Sequence, residues 1–344
     1  MRVSILVPCF NEEKAVSATV ASCLNQSRPF DEVIFVDDCS TDKTAEKLAE
    51  FGDKITVICT PKNSGNKSSA QEYGLQFVTG DVFVTTDGDT ILHPHFCEEI
   101  IKSYNQNPGV AAVVGYVKSL PYNWLTLCRA FEYAIGQNIH KRAQGYLKYI
   151  FVMPGAASSF RTDIFRHYIK FDHDTITEDL DFTYKLHQNN CSIIFNTNAI
   201  CYTQDPSTIY NYTNQMRRWF GGGWQNLLKH FGIITTKHAR AFELSLGYAE
   251  GLLFSLLLFI LPVLNVIVWL KTIAFYLLMI GILAIYAAYK EKRWQLVLAP
   301  IPYLFLMHIN AFVYLEQFVK EVILQKKHLT WFKPERFDVD VNVS

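Results

Sequence analysis

Two carboxylates stand at the end of a strand-like segment early in the chain. "DVFVTTDGD" (81–89) carries Asp87 and Asp89 one residue apart. Carboxylates spaced in this way can hold a divalent ion while phosphate oxygens and water fill its other coordination positions. A DxD pair alone is also common in turns, because Asp bonds readily to nearby backbone. Its position after a strand-like run favours the metal and phosphate site.

A second acidic pair ends another strand-like segment, "EVIFVDD" (32–38). Asp37 and Asp38 are so close that at least one must be paired, solvated or bound to a ligand. The alternative is that they cap a helix beginning near Ser40. Lys67, in "NSGNKSSA", opens a predicted helix, whose amide groups and cation suit a diphosphate. A solvated surface lysine is the alternative there.

"TITEDLDF" (175–182) offers a carboxylate for proton transfer. Glu178 or Asp179 could act as a general base towards a hydroxyl group. The same residues fit a capping box at a helix start, and both interpretations stay open.

"QMRRWFGGGW" (215–224) is an unusual stretch. The stretch does not suit a buried core, because its two arginines need partners there. It does not suit a plain loop either, because its indole rings are costly to leave in water. The residue types indicate a ligand, and we expect the three glycines to let the chain turn away from that site. His93 and His95 alternate across Pro94 with no third ligand in view, which is typical of a surface turn.

Strand and helix signals alternate through the first ninety residues. Strands are predicted at 3–8, 32–38, 54–60 and 81–89, and helices at 11–27, 40–52 and 67–78. This alternation predicts an α/β domain with a mostly parallel sheet, whose ligands bind beyond the carboxyl ends of the strands. No GxGxxG follows the first strand, which argues against a nicotinamide cofactor.

Composition is uneven along the 344 residues. Lys plus Arg equals Asp plus Glu, 32 each, so net charge gives no indication of a nucleic-acid partner. The eight cysteines show no CxxC spacing, which argues against zinc or disulfides and suits a reducing compartment. We therefore expect the amino-terminal domain to be cytosolic.

Residues 251–289 contain a single charged residue, Lys271. The segments 251–270 and 272–289 are predicted membrane spans, with a buried helical hairpin as the alternative. A third apolar segment, 295–325, is broken by prolines. This segment either spans the membrane or re-enters it from one side. Re-entry is preferred because it keeps the basic tail on the same side of the membrane as "KEKR" (290–293).

Two segments are amphipathic and rich in aromatic residues, 121–150 and 207–232. Both are predicted to lie in the membrane interface, with surface helices packed on the sheet as the alternative. The predicted organisation is a catalytic domain at 1–240, a membrane region at 241–325 and a basic tail at 326–344.

The motifs occur together in an order that resembles family 2 glycosyltransferases, and more closely their processive, membrane-bound branch, which makes cellulose, chitin, hyaluronan and poly-N-acetylglucosamine. The resemblance rests on "VPCFNEE", "VDDCSTDKT", "NSGNKSSAQEYGL", "TTDGDT", "FEY", "MPGAASSFR", "TED", "QMRRW" and "WFKPER". It covers about residues 1–337 and implies a GT-A-type fold followed by interfacial and transmembrane helices.

The resemblance also implies roles for particular residues. A UDP-sugar donor would be bound by Asp37, Asp38, Lys67, Asp87, Asp89 and Arg218, with Mg²⁺ or Mn²⁺ held by Asp89 and Asp87. Asp179 would be the catalytic base, supported by Glu178. The acceptor would meet Gln215, Trp219 and Gly155. Cys39 stands where the family often has Gly, with an unknown consequence.

The resemblance implies a membrane-anchored, inverting hexosyltransferase that extends a β-linked polysaccharide on the cytosolic face of the cell membrane. UDP-GlcNAc and UDP-glucose are the favoured donors, in that order. Transfer of one sugar to a lipid-linked acceptor is the alternative activity. An inactive membrane component that binds nucleotide or glycan is an alternative of another class. The few predicted spans suggest that export would need an oligomer or a partner.

Overall fold

The computed structural model describes residues 1–120, 122–232 and 239–327, with Leu329, Lys333, Arg336 and Phe337. The side chains of 239–245 are excepted. Of the "WFKPER" motif, Trp331, Phe332, Pro334 and Glu335 lie outside the described residues, and so do 233–238 beside the predicted domain boundary at 240.

The described residues form one mixed sheet of eight strands. The strands are β1 (Val3–Cys9), β2 (Glu32–Asp37), β3 (Thr56–Cys59), β4 (Val82–Thr85), β5 (Ile91–Leu92), β6 (Ala112–Ser119), β7 (Ser158–Arg161) and β8 (Ile193–Thr203). Their order in the sheet is β3-β2-β1-β4-β7-β6-β8-β5. The four strands predicted from sequence are all present and pair in parallel, so the predicted α/β class is confirmed.

Helices cover the sheet and connect its strands. They are α1 (Val16–Leu24), α2 (Thr44–Ala49), α3 (Lys67–Leu75), α4 (Phe96–Gln106), α5 (Trp124–Ile135), α6 (Arg142–Tyr146), α7 (Thr162–Tyr168), α8 (Glu178–Gln188) and α9 (Ile209–Lys229). A π-helical turn, Gly136–Lys141, joins α5 to α6. Every residue of β1 is buried, because apolar cores lie on both faces of the sheet. A strand buried on both faces reads as a continuous apolar run, as in "VSILVP".

Three long helices follow: α10 (Ala239–Leu264), α11 (Val266–Glu291) and α12 (Pro300–Phe318). The predicted break between the two apolar segments, at Lys271, was wrong. Asn265 separates them instead, because its side chain accepts hydrogen bonds from the amides of Ile267 and Val268 and so starts a new helix. Within the predicted third segment, α12 begins at Pro300, where a proline needs no hydrogen-bond partner for its nitrogen.

Two of these helices are long and apolar enough to cross a membrane. Their apolar parts, Leu246–Leu264 and Val266–Glu291, have mean hydropathies of 1.9 and 2.3, and only 11% and 6% of their most apolar stretches are buried. A hairpin inside a soluble core would be mostly buried, so the structure does not favour that alternative.

The amphipathic segments pack against these apolar helices. One apolar cluster joins Phe131 of α5, Met216 of α9, Ala284 of α11 and Val313 of α12. The sheet domain and the apolar helices therefore share a core. The predicted positions of α5 and α9 in a membrane interface remain a prediction.

Candidate active site

A cavity of about 860 Å³ opens at the carboxyl ends of β1, β2 and β4. Neighbouring parallel strands end at the same sheet edge, which gathers side chains that are far apart in sequence. The predicted site residues that line the cavity are Asp38, Lys67, Asp87, Asp89, Gly155, Glu178, Asp179, Gln215, Arg218 and Trp219. Asp37 is the one predicted residue that does not line it.

The two acids after β2 face different surroundings. Asp38 accepts hydrogen bonds from the hydroxyls of Thr60 and Ser64, each at 2.7 Å, which orients it at the cavity wall. Asp37 accepts from the backbone amide of Ser40 at 3.1 Å and so stabilises the turn. Cys39 between them has a φ of 57°, in the left-handed region that favours glycine. The structure thus shows why Gly would suit this position.

Lys67 links Asp87 to the start of α8. Its ammonium pairs with Asp87 and lies 3.5 Å from Glu178. Burial alone would lower the pKa of Lys67, but Asp87 and Glu178 raise it above its usual value. Gly155 lies beside this pair, because a Cβ there would come within 2.5 Å of the Lys67 nitrogen. The structure therefore places Gly155 on the side of the cavity that holds Lys67 and Asp87.

Asp89 meets two cationic residues from the other end of the chain. Arg336 pairs with Asp89 at 2.6 Å and with Glu12 at 3.2 Å, and Lys333 pairs with Glu12 at 3.0 Å. Burial raises the pKa of Asp89 to about 6, although Arg336 opposes the shift. Sequence reasoning assigned no site role to Glu12, Lys333 or Arg336. Lys333 and Arg336 belong to the "WFKPER" motif, to which the resemblance gave no particular role.

Asp87 and Asp89 fit a divalent ion of the kind that needs few protein ligands. Both carboxylates line the cavity, and each is paired with a cation, Lys67 or Arg336, with which a metal ion would share or exchange the carboxylate. No group of three or more His, Cys, Asp or Glu side chains arranged for a metal occurs in the described part of the chain. Mg²⁺ is commonly held by one or two carboxylates plus substrate phosphates, which suits this pair.

The start of α8 carries the predicted base. Thr177 precedes the helix, but its side chain makes no capping bond, so the capping-box interpretation fails. Glu178 and Asp179 form the first turn and line the cavity. Burial and the neighbouring Glu178 raise the pKa of Asp179 to about 6, against the opposing effect of Lys67. A carboxylate in this range suits proton abstraction near neutral pH.

Helix α9 brings the QxxRW residues to the opposite wall. Gln215 is buried, and its amide oxygen has no hydrogen-bond partner among the described residues. The Trp219 ring lies 4.9 Å from the guanidinium carbon of Arg129. Arg129 is itself buried and paired with Asp205 and Glu132. Sequence reasoning missed Arg129, and the nearby "FEY" motif was its only signal.

The glycine triplet does not turn the chain, contrary to the prediction. Helix α9 runs through Gly221, Gly222 and Gly223 without interruption to Lys229. A Cβ on Gly222 would lie 2.3 Å from the Thr177 hydroxyl, and one on Gly221 would lie 3.0 Å from Gln317. The glycines therefore allow α9 to approach the TED segment and α12 closely.

An ion-pair network connects α8 to the end of α9 close to Asp179. Asp181 lies 2.6 Å from His230, 2.6 Å from Lys185 and 2.9 Å from Lys229. Asp181 is buried, and despite its burial, hydrogen bonds from His230 and the two lysines lower its pKa to about 2. The network holds the helix that carries Asp179.

This network predicts a pH-dependent contribution to stability. The Asp181 pKa is depressed in the folded state, so its contribution is full above the unfolded pKa near 3.8 and is lost as the pH falls towards 2. We expect Asp181→Asn to lower Tm by several degrees at pH 6, about 2 kcal/mol of stability. That difference should shrink between pH 4 and pH 2.

Thermal unfolding of the two proteins in the same detergent across this pH range measures the effect. Asp163→Asn, at an exposed position on α7, is the control and should leave Tm unchanged. A pH-independent Tm difference for Asp181→Asn would contradict the network's role.

The remaining candidate metal ligands are histidine and cysteine side chains. His95 bonds to Ser27 and Glu98 on the surface, at 3.0 and 3.1 Å, in agreement with a surface turn. All eight cysteines are free.

The sheet order, with the cavity at the carboxyl ends of its parallel strands, is of the GT-A type. Residues 4–169 match the family model for glycosyl transferase family 2. These residues therefore form a glycosyltransferase family 2 domain, and the resemblance seen in the motifs is confirmed for this part of the chain.

Curated relatives share part of their length with this chain. A poly-beta-1,6-N-acetyl-D-glucosamine synthase from Staphylococcus epidermidis is 29% identical over 239 residues, which are 68% of this chain and 58% of the relative. The synthase of that name from Staphylococcus aureus is 28% identical over 233 residues, 67% of this chain and 56% of the relative. The chain thus spans less than three fifths of the length of these relatives.

Solved structures share the fold. A mannosyltransferase from Pyrobaculum calidifontis, in complex with GDP-Man and Mn²⁺, superposes with a TM-score of 0.64 at 20% identity, covering 95% of this chain and 88% of that one. Staphylococcus aureus TarS 1-349, in complex with UDP-GlcNAc, gives 0.51 at 18% identity, with 95% and 93% covered. At these identities the likeness concerns the fold alone.

Proposed function

We propose that this protein is a membrane-anchored, metal-dependent glycosyltransferase that moves N-acetylglucosamine from UDP-GlcNAc to a hydroxyl of a growing β-linked polysaccharide. One observation carries the proposal. A single cavity joins Asp38, Lys67 and the DxD pair on one side to Asp179 and the QxxRW residues on the other. That arrangement provides for a nucleotide diphosphate and an acceptor hydroxyl within one enclosure.

The chemistry follows from this placement. Asp179 takes the proton as the acceptor oxygen forms its bond to the anomeric carbon, and the bond from that carbon to UDP breaks with its electron pair on the diphosphate. A bound Mg²⁺ or Mn²⁺ at Asp87 and Asp89 would stabilise charge on the diphosphate. Arg218 offers a planar fork to the same group. Attack opposite the leaving group inverts the anomeric centre, so an α-linked donor gives a β-linked product.

The acceptor side is formed by α9. Trp219 presents an indole face suited to stacking on a sugar ring, and its contact with Arg129 fixes the ring's orientation. The amide oxygen of Gln215, which is buried and has no hydrogen-bond partner among the described residues, suits a hydrogen bond from a sugar hydroxyl. These features support an acceptor glycan.

The exposed apolar surfaces of α10 and α11 support embedding in a bilayer. Val263 and Leu264 are 84% and 74% exposed at the end of α10, which is costly in water. Since the cavity also reaches Tyr248 and Tyr314 on the long helices, acceptor binding beside the membrane is part of the proposal. The name shared by the curated relatives supports UDP-GlcNAc as the donor and a polysaccharide as the product.

The test is transfer by the purified protein in lipid with Mn²⁺ and each labelled UDP-sugar, followed by sizing of the product. We expect long chains from UDP-GlcNAc and little product from UDP-glucose. A single sugar transferred to lipid would overturn the polymerase assignment. No transfer from any donor would overturn the proposed enzyme activity in the isolated chain.

A further inference from the structure

The π-helical turn Gly136–Lys141 places two buried polar side chains in the cavity. Gln137 is 5% exposed and Lys141 is 8% exposed, and both line the cavity. The Gln137 amide oxygen has no hydrogen-bond partner among the described residues. Buried polar atoms are rarely left unpaired, and π-helical turns are frequent at functional sites. Neither residue has a role in the chemistry described above.

Lys141 provides hydrogen-bond donors, whereas Gln137 provides an acceptor. Its ammonium donates to the carbonyl of Val152 at 3.1 Å, and it forms no ion pair with any carboxylate in the described part of the chain. Burial lowers the pKa of Lys141 to about 8, although the charge of Asp179 opposes the shift. An ammonium has three N–H donors. The subsite thus combines an unused acceptor with spare donors, four residues apart.

Gln137 and Lys141 extend the part of the cavity wall that Trp219 and Gln215 form. Tyr133, Gln137 and Lys141 recur every four residues and all line the cavity. The Arg129 guanidinium carbon lies 5.1 Å from the Tyr133 ring and 4.9 Å from the Trp219 ring. This row of three side chains therefore begins beside the tryptophan of the QxxRW motif.

The turn is anchored from behind, which fixes these side chains before a ligand arrives. Asn138 points the other way and donates to Glu291 of α11 and to the carbonyl of Ala134, both at 3.0 Å. A preorganised site loses less freedom on binding.

We propose that Gln137 and Lys141 form a subsite for the acetamido group on the terminal sugar of the acceptor, an inference that rests on the proposed function. The acetamido N–H donates to the Gln137 oxygen, and its carbonyl accepts from Lys141. A phosphate would accept from Lys141 but would offer no hydrogen to the Gln137 oxygen. A neutral group that both donates and accepts satisfies both residues.

The kinetic test uses the full-length protein in lipid nanodiscs with UDP-GlcNAc and Mn²⁺. Acceptors are a β-linked N-acetylglucosamine disaccharide and the corresponding glucose disaccharide. We expect the wild type to favour the acetylated acceptor in kcat/KM. Gln137→Met and Lys141→Met should each reduce that preference about tenfold through KM, as expected for one lost hydrogen bond.

Arg142→Met is the matched control. Arg142 follows Lys141 directly, carries the same charge and is exposed outside the cavity, so its removal should leave the acceptor preference unchanged. Equal preference for the two acceptors in the wild type, or equal losses in all three variants, would overturn the subsite.

A binding measurement separates this inference from the proposed function. Saturation-transfer NMR with the acetylated disaccharide should show an acetyl methyl signal with the wild type and with Arg142→Met, but not with Gln137→Met or Lys141→Met. That result without any sugar transfer would uphold the subsite while the proposed function fails. Weakened binding of polyprenyl phosphate alone, with disaccharide binding intact, would overturn it in favour of an anionic acceptor.

Discussion

Asp179→Asn is expected to lower the transfer rate about 10²–10⁴-fold, the range that a general base supplies. Asn cannot take the acceptor proton, and it has nearly the same shape as Asp. Among the described residues, the one hydrogen bond that the Asp179 side chain accepts comes from the backbone amide of Leu180, at 2.9 Å, so the substitution leaves the start of α8 in place. UDP affinity should therefore remain within about twofold.

Rates of transfer and UDP affinity, measured on the same preparation, check this expectation. Asp163→Asn removes a carboxylate at an exposed position on α7 and should behave as wild type in both measurements. Full activity of Asp179→Asn would show that another group is the base.

The same residue predicts the acid limb of the pH profile. The base must be deprotonated, and the pKa of Asp179 is raised to about 6. At saturating Mn²⁺, which would keep its proposed ligand Asp89 ionised, transfer should therefore rise with pH up to about 6 and then level off, with a slope of one on the acid side. A plateau extending down to pH 4 would exclude Asp179 as the titrating base.

The strands and the residues at their ends could be predicted because both depend on local patterns. Apolar runs followed by acids predicted β1, β2 and β4, and Asp38, Asp87 and Asp89 follow from the rule that parallel strands end at one sheet edge. Short motifs likewise predicted that Asp179 and Trp219 belong to the same site, and both line the cavity, although the spacing of the motifs says nothing about the elements between them.

Contacts between distant parts of the chain could not be predicted. Arg336 reaches Asp89 only after the long helices return the chain to the sheet edge. The triplet from Gly221 was misread because glycine fits both a turn and a close helix contact, and only the position of Thr177 distinguishes the two. Gln137 looked like an ordinary helix residue, since a π-helical turn has no clear sequence signal.

Asp89→Ala is the second change with a large expected effect. We expect UDP binding to lose its dependence on Mn²⁺ and the transfer rate to fall about 10²–10³-fold, as on removal of one charge-stabilising group. UDP affinity measured with and without Mn²⁺ checks the first part. Asp53→Ala, at an exposed position, should keep wild-type metal dependence.

Asp89 has a partner already, and this permits a sharper test of its role. Its carboxylate pairs with Arg336 at 2.6 Å, so Asp89→Ala removes an ion pair as well as the proposed metal ligand. Arg336→Ala removes this ion pair, together with the contact of Arg336 to Glu12, and leaves the Asp89 carboxylate in place. If Asp89 holds the metal, Arg336→Ala keeps Mn²⁺-dependent UDP binding while Asp89→Ala loses it. If Asp89 serves only to hold Arg336, the two variants behave alike, and the metal assignment at this position fails.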